Sequence, residues 1–256
     1  MATKASNASE IQIIEIDTST VRMAVVGRTP LILNRMWNKS GPRELLLPKG
    51  KKTAAEKAST LKHQPWDEFR NSAETFDDES SATLLAIQST AFKKAMATAA
   101  LDLPGTKKTQ IGRLTWISGE LVGIYGEPRI FSAITRNSDI NRTPDVRTRC
   151  IIPKWAAIVE VSFVRPIMRE QSVANLMAAA GITVGVGDFR PEKGAGNYGQ
   201  FEVVDMADER FADITSKWGR QAQKDAMDKP AFYDKNTEEL LTWYDTEVRR
   251  RGFKVA

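Results

Sequence analysis

Cysteine and histidine are almost missing from this chain: 256 residues hold one of each, Cys150 and His63. A lone thiol excludes an intrachain disulfide and any zinc site built from several thiolates. A lone imidazole means that both Ser-His-Asp and Cys-His catalysis would have to pass through His63. It lies in Lys62-His63-Gln64-Pro65, a polar stretch before a proline that reads as a solvated loop. The carboxylates form no Asp-x-Asp or His-Glu pattern suited to a cation, so neither a metal nor another cofactor is expected. No run nears the roughly 18 apolar residues of a membrane span, and Met1 to Glu10 lack the apolar stretch of a secretory signal. An intracellular protein away from membranes is expected, and none of this demands an enzyme.

What is present is an ordinary globular composition, 41% hydrophobic and 27% charged, with 37 Lys and Arg against 32 Asp and Glu and a net charge of +5. The length suits one large domain, or one domain with an appendage. Val21 to Gly27 reads as a first strand, continuing to Arg35 past a Gly/Pro bend, with a weaker alternation over Gln12 to Ile16. About 36–81 reads as a mobile basic insertion with short helices, outside the core. The core resumes at Ala82 to Ile87. Ser89 then caps a helix from Thr90 to about Leu101, with Phe92, Met96 and Ala99 or Ala100 at helical spacing and Pro104-Gly105 as its stop. A short helix over Thr109 to Ile117 precedes strands at Glu120 to Tyr125 and Arg129 to Ile134. Cys150 to Ile152 and Ala156 to Val164 give the clearest strand. Ser172 caps a helix from Val173 to Ala180, and Tyr198 to Val204 alternates at period two.

The order strand, helix, strand, strand, helix, strand is that of an α+β, ferredoxin-like βαββαβ core spanning 1–205, with two helices on one sheet face and the other face open to a ligand. Residues 206–256 turn helical, with ten basic and ten acidic residues from Asp208 onward. They read as an extension packing on the domain or on a neighbouring subunit.

The most specific stretch is Gly181 to Gly199, which holds six of the 16 glycines. Such a density lets backbone N–H groups approach phosphate oxygens closely, and Arg190 and Lys193 add charge there. It is neither a Walker A loop nor a Rossmann fingerprint, because its glycines follow a helix and precede a strand. A glycine-rich hairpin that bends the sheet is the plain alternative.

Gly185-Val186-Gly187, the short span with Arg190 and Lys193, Gly194-Ala195-Gly196 and Tyr198-Gly199-Gln200-Phe201 together resemble the C-terminal glycine-rich loop of the RAMP superfamily. That superfamily includes backbone and crRNA-processing subunits of CRISPR effector complexes, built on ferredoxin-like, RRM-related folds. The chain is also similar to an uncharacterised phage and prophage family, through Gly27 to Ile32 with Asn34-Arg35 and through Ala180 to Phe201. Pro153-Lys154-Trp155 matches that family more loosely. The resemblance spans about Arg22 to Val204 and implies a fold, a nucleic-acid context and a cytoplasmic setting in a bacterial host. It supplies no established activity.

Pro128 to Arg149 carries Arg129, Arg136, Arg142, Arg147 and Arg149 against two aspartates, in what reads as a turn-rich connection. The guanidinium fork suits phosphate and also stacks on bases, and the resemblance implies a thumb-like role for it. Lys51 and Lys52, within the basic patch Lys49 to Lys62, could track a phosphate backbone. Phe189 and Tyr198 flank the glycine loop and are the stacking candidates. Gly185, Gly187, Gly194 and Gly196 complete the candidate binding set. The octapeptide aromatic signature of a standard RRM is absent. The reading is a non-catalytic single-stranded RNA- or DNA-binding protein, with assembly along the strand as a further step of that reading. The alternatives are an RNA endonuclease of the crRNA-processing type and a scaffold subunit.

Overall fold

The computed structural model describes residues 15–35, 61–136, 142–193 and 196–253. In chain order the elements are β1 (Asp17–Gly27), β2 (Leu31–Leu33), α1 (Pro65–Asn71), β3 (Glu74–Thr75), β4 (Leu85–Gln88), α2 (Thr90–Ala99), α3 (Lys108–Leu114) and β5 (Thr115–Ile117). There follow β6 (Leu121–Gly126), β7 (Arg129–Arg136), β8 (Pro144–Ile152), β9 (Trp155–Arg165), α4 (Glu170–Thr183) and β10 (Phe201–Val204). The last are α5 (Glu209–Lys217), α6 (Arg220–Asp228), β11 (Ala231–Phe232) and α7 (Lys235–Arg250).

These make a mixed α+β fold on two sheets. The larger runs β10-β1-β9-β6-β4-β3, with β5 also beside β9, and every pairing in it is antiparallel. Its long centre is β1 against β9, in register from Asp17↔Arg165 to Val26↔Ala156. Helices α2 and α4 pack together over one face. Phe92 and Met96 of α2, and Val173 and Met177 of α4, are fully buried with Trp155 and Phe201. Each such side chain contributes roughly 1.5–3 kcal/mol through burial. Ser89 stands at the first turn of α2 but makes no side-chain cap, and α4 begins at Glu170, ahead of Ser172.

The second face of this sheet is only partly open. Four consecutive residues of β1, Met23 to Val26, are buried, the pattern of a strand covered on both faces. Met23 and Val25 join the main core, whereas Ala24 and Val26 pack with Ala156 against Phe211 and Ile214 of α5. The expected ligand face is thus capped at one end by a helix of the C-terminal segment.

The smaller sheet runs β11-β7-β8-β2, and it corrects the expected arginine-rich connection. Arg129 to Arg136 and Pro144 to Ile152 pair antiparallel from Arg129↔Ile151 to Arg136↔Pro144, so this region is a β-hairpin. β7 belongs with β8 and does not continue β6. Gly126 is where the chain leaves the first sheet: at φ 139° an added Cβ would lie 2.4 Å from both Ile152 and the Lys154 carbonyl. The expected helix over Thr109 to Ile117 ends at Leu114, and its last three residues form β5 on the edge of β9. Of the expected insertion, 36–60 lie outside the described residues. The remainder is not peripheral, because Phe69 of α1 is fully buried. The alternation over Gln12 to Ile16 falls largely outside the described residues, and Glu15 and Ile16 form no strand.

Candidate nucleic-acid interface

The glycine-rich loop leaves α4 at Val184 and is woven into the turn between β1 and β2. The Val186 amide donates to Gly199 O (2.9 Å), the Asp188 amide to Ile32 O (2.9 Å) and the Gly199 amide to Pro30 O (2.8 Å). Those three amides are committed to protein carbonyls. Gly187 and Gly199 are required by the crossing itself. Both have positive φ, and a Cβ would sit 2.6 Å from Ile32 O at Gly187 and 1.7 Å from Val186 O at Gly199. Gly185 also turns at positive φ, and Gly196 passes against the backbone of Phe189.

That crossing pushes Phe189 outward. It holds φ 55°, uncommon for a bulky residue, and the residue is 52% exposed. The ring lies 6.2 Å from that of Tyr198. Arg190 turns back on its own loop, donating to Gly187 O (2.9 Å) and pairing with Glu192. Of Lys193 only the backbone is described, at the end of the 3-10 turn Pro191–Lys193, and Gly194 lies outside the described residues, as do Lys51 and Lys52.

In the hairpin, side chains directly opposite one another share a face. Phe131 stands opposite Arg149, Ala133 opposite Arg147 and Thr135 opposite Asp145. Tyr233, just beyond β11, sets its ring edge-to-face on Phe131 at 5.6 Å. Arg129 is on the same face and is held by Glu127 through two hydrogen bonds of 2.9 and 2.7 Å. Arg136, at the end of β7, and Arg142, just before β8, are exposed, Arg142 at φ 45°. Arg147 pairs with Asp145 at 3.5 Å.

Arg149 is where hairpin and glycine loop meet. Its side chain is 12% exposed, with Nε 4.0 Å from Asp188 and Nη1 donating to Thr148 O. Burial pulls its pKa below the ordinary arginine value, against the attraction of Asp188 and Glu68. Asp188 also accepts from Asn34 Nδ2 (2.7 Å). Tyr198 lies near enough to Tyr233 to raise its pKa, second to burial. Two sequence regions about 40 residues apart therefore form one surface, with two aromatic pairs and arginines along it.

Beside this surface, two clefts of about 380 Å³ each share Asn34, Arg35 and Ser72 in their walls. One runs over α2 and the glycine loop; the other runs between α1 and β8. At the second stands His63, which corrects the solvated-loop expectation. Its Nδ1 is 2.9 Å from Glu68 Oε1 and its Nε2 2.7 Å from Asp145 Oδ1, and the side chain is 17% exposed. Tyr244 of α7 donates its hydroxyl to the His63 carbonyl. The hydrogen bond with Glu68 raises the His63 pKa, burial opposes this, and Asp145 adds to the rise. Burial works to raise the Asp145 pKa, but hydrogen bonds from Lys62 and His63 outweigh it and hold it at about 2.

Asn34, Arg35 and Tyr233 are the site residues that sequence reasoning missed. Asn34-Arg35 stood within the resembling segment, whereas Tyr233 lay in the tail with no signal beyond being aromatic. Cys150 is fully buried, and burial pushes its thiol pKa up. Among the described residues, no cluster of His, Cys, Asp and Glu could hold a metal ion, and no helix is long and apolar enough to cross a membrane.

No family model matches the sequence, and no curated protein matches it. Among solved structures, the chain is similar to one in the Type III-B Cmr-beta structure bound to cognate target RNA, at 12% identity and a TM-score of 0.39. That match covers 73% of this chain and 59% of the other, so this chain spans under two thirds of its length. It is also similar to Cmr6 from Pyrococcus furiosus, at 9% identity and a TM-score of 0.37, covering 73% of this chain and 98% of that one.

Proposed function

We propose that the protein binds single-stranded nucleic acid, without cleaving it, on the surface where the arginine hairpin meets the glycine-rich loop. The observation that carries this reading is the contact of Arg149 with Asp188. It sets Phe131–Tyr233 and Phe189–Tyr198 beside Arg147 and Arg149. Single strands are held by positive charge combined with stacking rings; this face supplies the rings, with Arg129, Arg147 and Arg149 among them held by Glu127, Asp145 and Asp188. Arg136 and Arg142 at the hairpin end extend the phosphate track, with Lys193, Lys51 and Lys52 as further candidates from the sequence.

The core is read as ferredoxin-like. The order β10-β1-β9-β6, with α2 following β1 in the chain and α4 following β9, supports that reading. The glycine loop follows the second helix, as the RAMP resemblance implied. The kinship with the phage family rests on the sequence segments alone. A nuclease acting through His63 is disfavoured, because both ring nitrogens are engaged by carboxylates and neither offers a lone pair to a substrate hydroxyl.

The test is fluorescence anisotropy with labelled single-stranded RNA, single-stranded DNA and duplex at two salt concentrations. Binding to a single strand that weakens as salt rises, and weakens further with Arg136→Ala and Arg142→Ala together, supports the reading. No binding to any polymer at low salt overturns it.

A further inference from the structure

Strand β1 is longer than the strand that borders it on one side. From Asp17 to Val26 it pairs with β9, but β10 reaches only Ala24 to Gly27. The seven residues from Asp17 to Met23 therefore form a ledge that, among the described residues, nothing pairs with on the β10 side. Hydrogen bonds at either side fix which backbone groups face it. The Arg28 amide donates to Gln200 O on the β10 side, and bonding direction alternates along a strand, so even-numbered residues of β1 point that way. The far side agrees. The Ser118 amide donates to Glu160 O, which leaves the odd residues of β9 to bond the odd residues of β1. The N–H and C=O groups of Thr18, Thr20 and Arg22 are consequently directed into the ledge.

An open edge of this kind is a template for another strand, and here it is only lightly blunted. The Asp17 carboxylate accepts from the Thr18 amide (2.7 Å), and Arg22 is turned to Glu160. Thr20, at the middle, carries no such cover. A large apolar side chain stands exposed at each end of the ledge. Ile16, 64% exposed, precedes Asp17, and Met206, 42% exposed, lies where the chain turns away after β10.

We infer that this ledge binds a second copy of the chain, β1 against β1, antiparallel about a two-fold axis at Thr20. On that axis the two Thr20 residues exchange both backbone hydrogen bonds. Each Arg22 amide reaches the other copy's Thr18 carbonyl, the group left open when Asp17 occupies the Thr18 amide. On the inner face Ser19 meets the second copy's Val21, itself half-buried against the core. The fit in length selects a second copy over an unrelated strand. Asp17 falls opposite Met23, so the strand fills the gap end to end, and Ile16 of each copy arrives beside the β10 terminus where Met206 of the other is exposed. Such a contact closes at two copies and joins the large sheets edge to edge. A pairing this short lies below the roughly 1,000 Å² of a stable interface, so the dimer is weak and depends on concentration. It stands independently of nucleic-acid binding.

The test is sedimentation velocity of the full chain, without nucleic acid, up to high micromolar concentration, with hydrogen exchange measured at both ends of that range. The average mass should rise toward that of two chains, and the Thr20 and Arg22 amides should exchange more slowly in the concentrated sample. Thr20→Pro removes an amide that no native pairing uses, and proline is tolerated where a strand's N–H faces outward. Thr20→Lys places two like charges opposite each other only in the dimer. Each should weaken dimerisation at least about tenfold, the scale of one or two lost hydrogen bonds, and a thermal melt checks that each variant folds. A monomer at every concentration overturns the inference, as does a dimer unchanged in the folded variants. Protection of the same amides in a chain that stays monomeric would put another strand on the ledge and overturns it too.

Discussion

His63 looked solvated in the sequence because its neighbours in the chain are polar. Its partners lie elsewhere: Glu68 five residues on, Asp145 from the hairpin and Tyr244 from the last helix. Linkage gives the sign of its contribution. A histidine whose folded pKa is raised stabilises fully below its unfolded value of 6.5, and that stabilisation is lost as pH rises through the folded pKa. The melting temperature should therefore fall between pH 6 and pH 8, and His63→Gln should flatten that dependence. A proton-NMR titration placing His63 at or below 6.5 would contradict the account. Phe189 makes the opposite case, being legible as a candidate because it flanks the glycines, although its positive φ was not. With stacking worth about 1–3 kcal/mol per base, Phe189→Ala should weaken single-strand binding about 5- to 150-fold while the melting temperature barely moves. An unchanged affinity by anisotropy would remove Phe189 from the site.

At the scale of elements, the core helices were legible because an apolar stripe at helical spacing has one physical meaning. The hairpin was not, although its signal was present. Val146, Thr148 and Cys150 alternate with Asp145, Arg147 and Arg149, and the density of charge disguised a period-two strand as a loop. Gln223 of α6 is another feature that no local pattern announces. It is fully buried where β4 and β6 diverge. Its Oε1 accepts from the Leu84 and Leu85 amides, and its Nε2 donates to the Ile124 and Gly126 carbonyls. Removing it strands four backbone groups. At roughly 1–3 kcal/mol for each buried group left unpaired, Gln223→Ala should cost about 3 kcal/mol or more in urea denaturation. A loss below about 1 kcal/mol would mean that water replaces the side chain.

At the scale of the molecule, the glycine loop was read from the sequence as a phosphate cradle. The structure gives its glycines a prior task, since Gly187 and Gly199 let the loop pass the β1–β2 turn at distances no side chain would allow. What the sequence could not convey is that this crossing brings Asp188 to Arg149, because contact across about 40 residues follows from strand order and not from local pattern. The same topology leaves the outer half of the large sheet polar, with Arg22 facing Glu160 and Thr20 bonded to Ser162, and Trp116 as an exposed ring beside them. Ultraviolet cross-linking of the full chain to single-stranded RNA and DNA, followed by mass spectrometry of the adducts, tests the shared surface most directly. The account predicts adducts at Phe189 or Tyr198 together with Phe131 or Tyr233. Adducts confined to the outer sheet face around Trp116, or none in a complex that anisotropy detects, would contradict it.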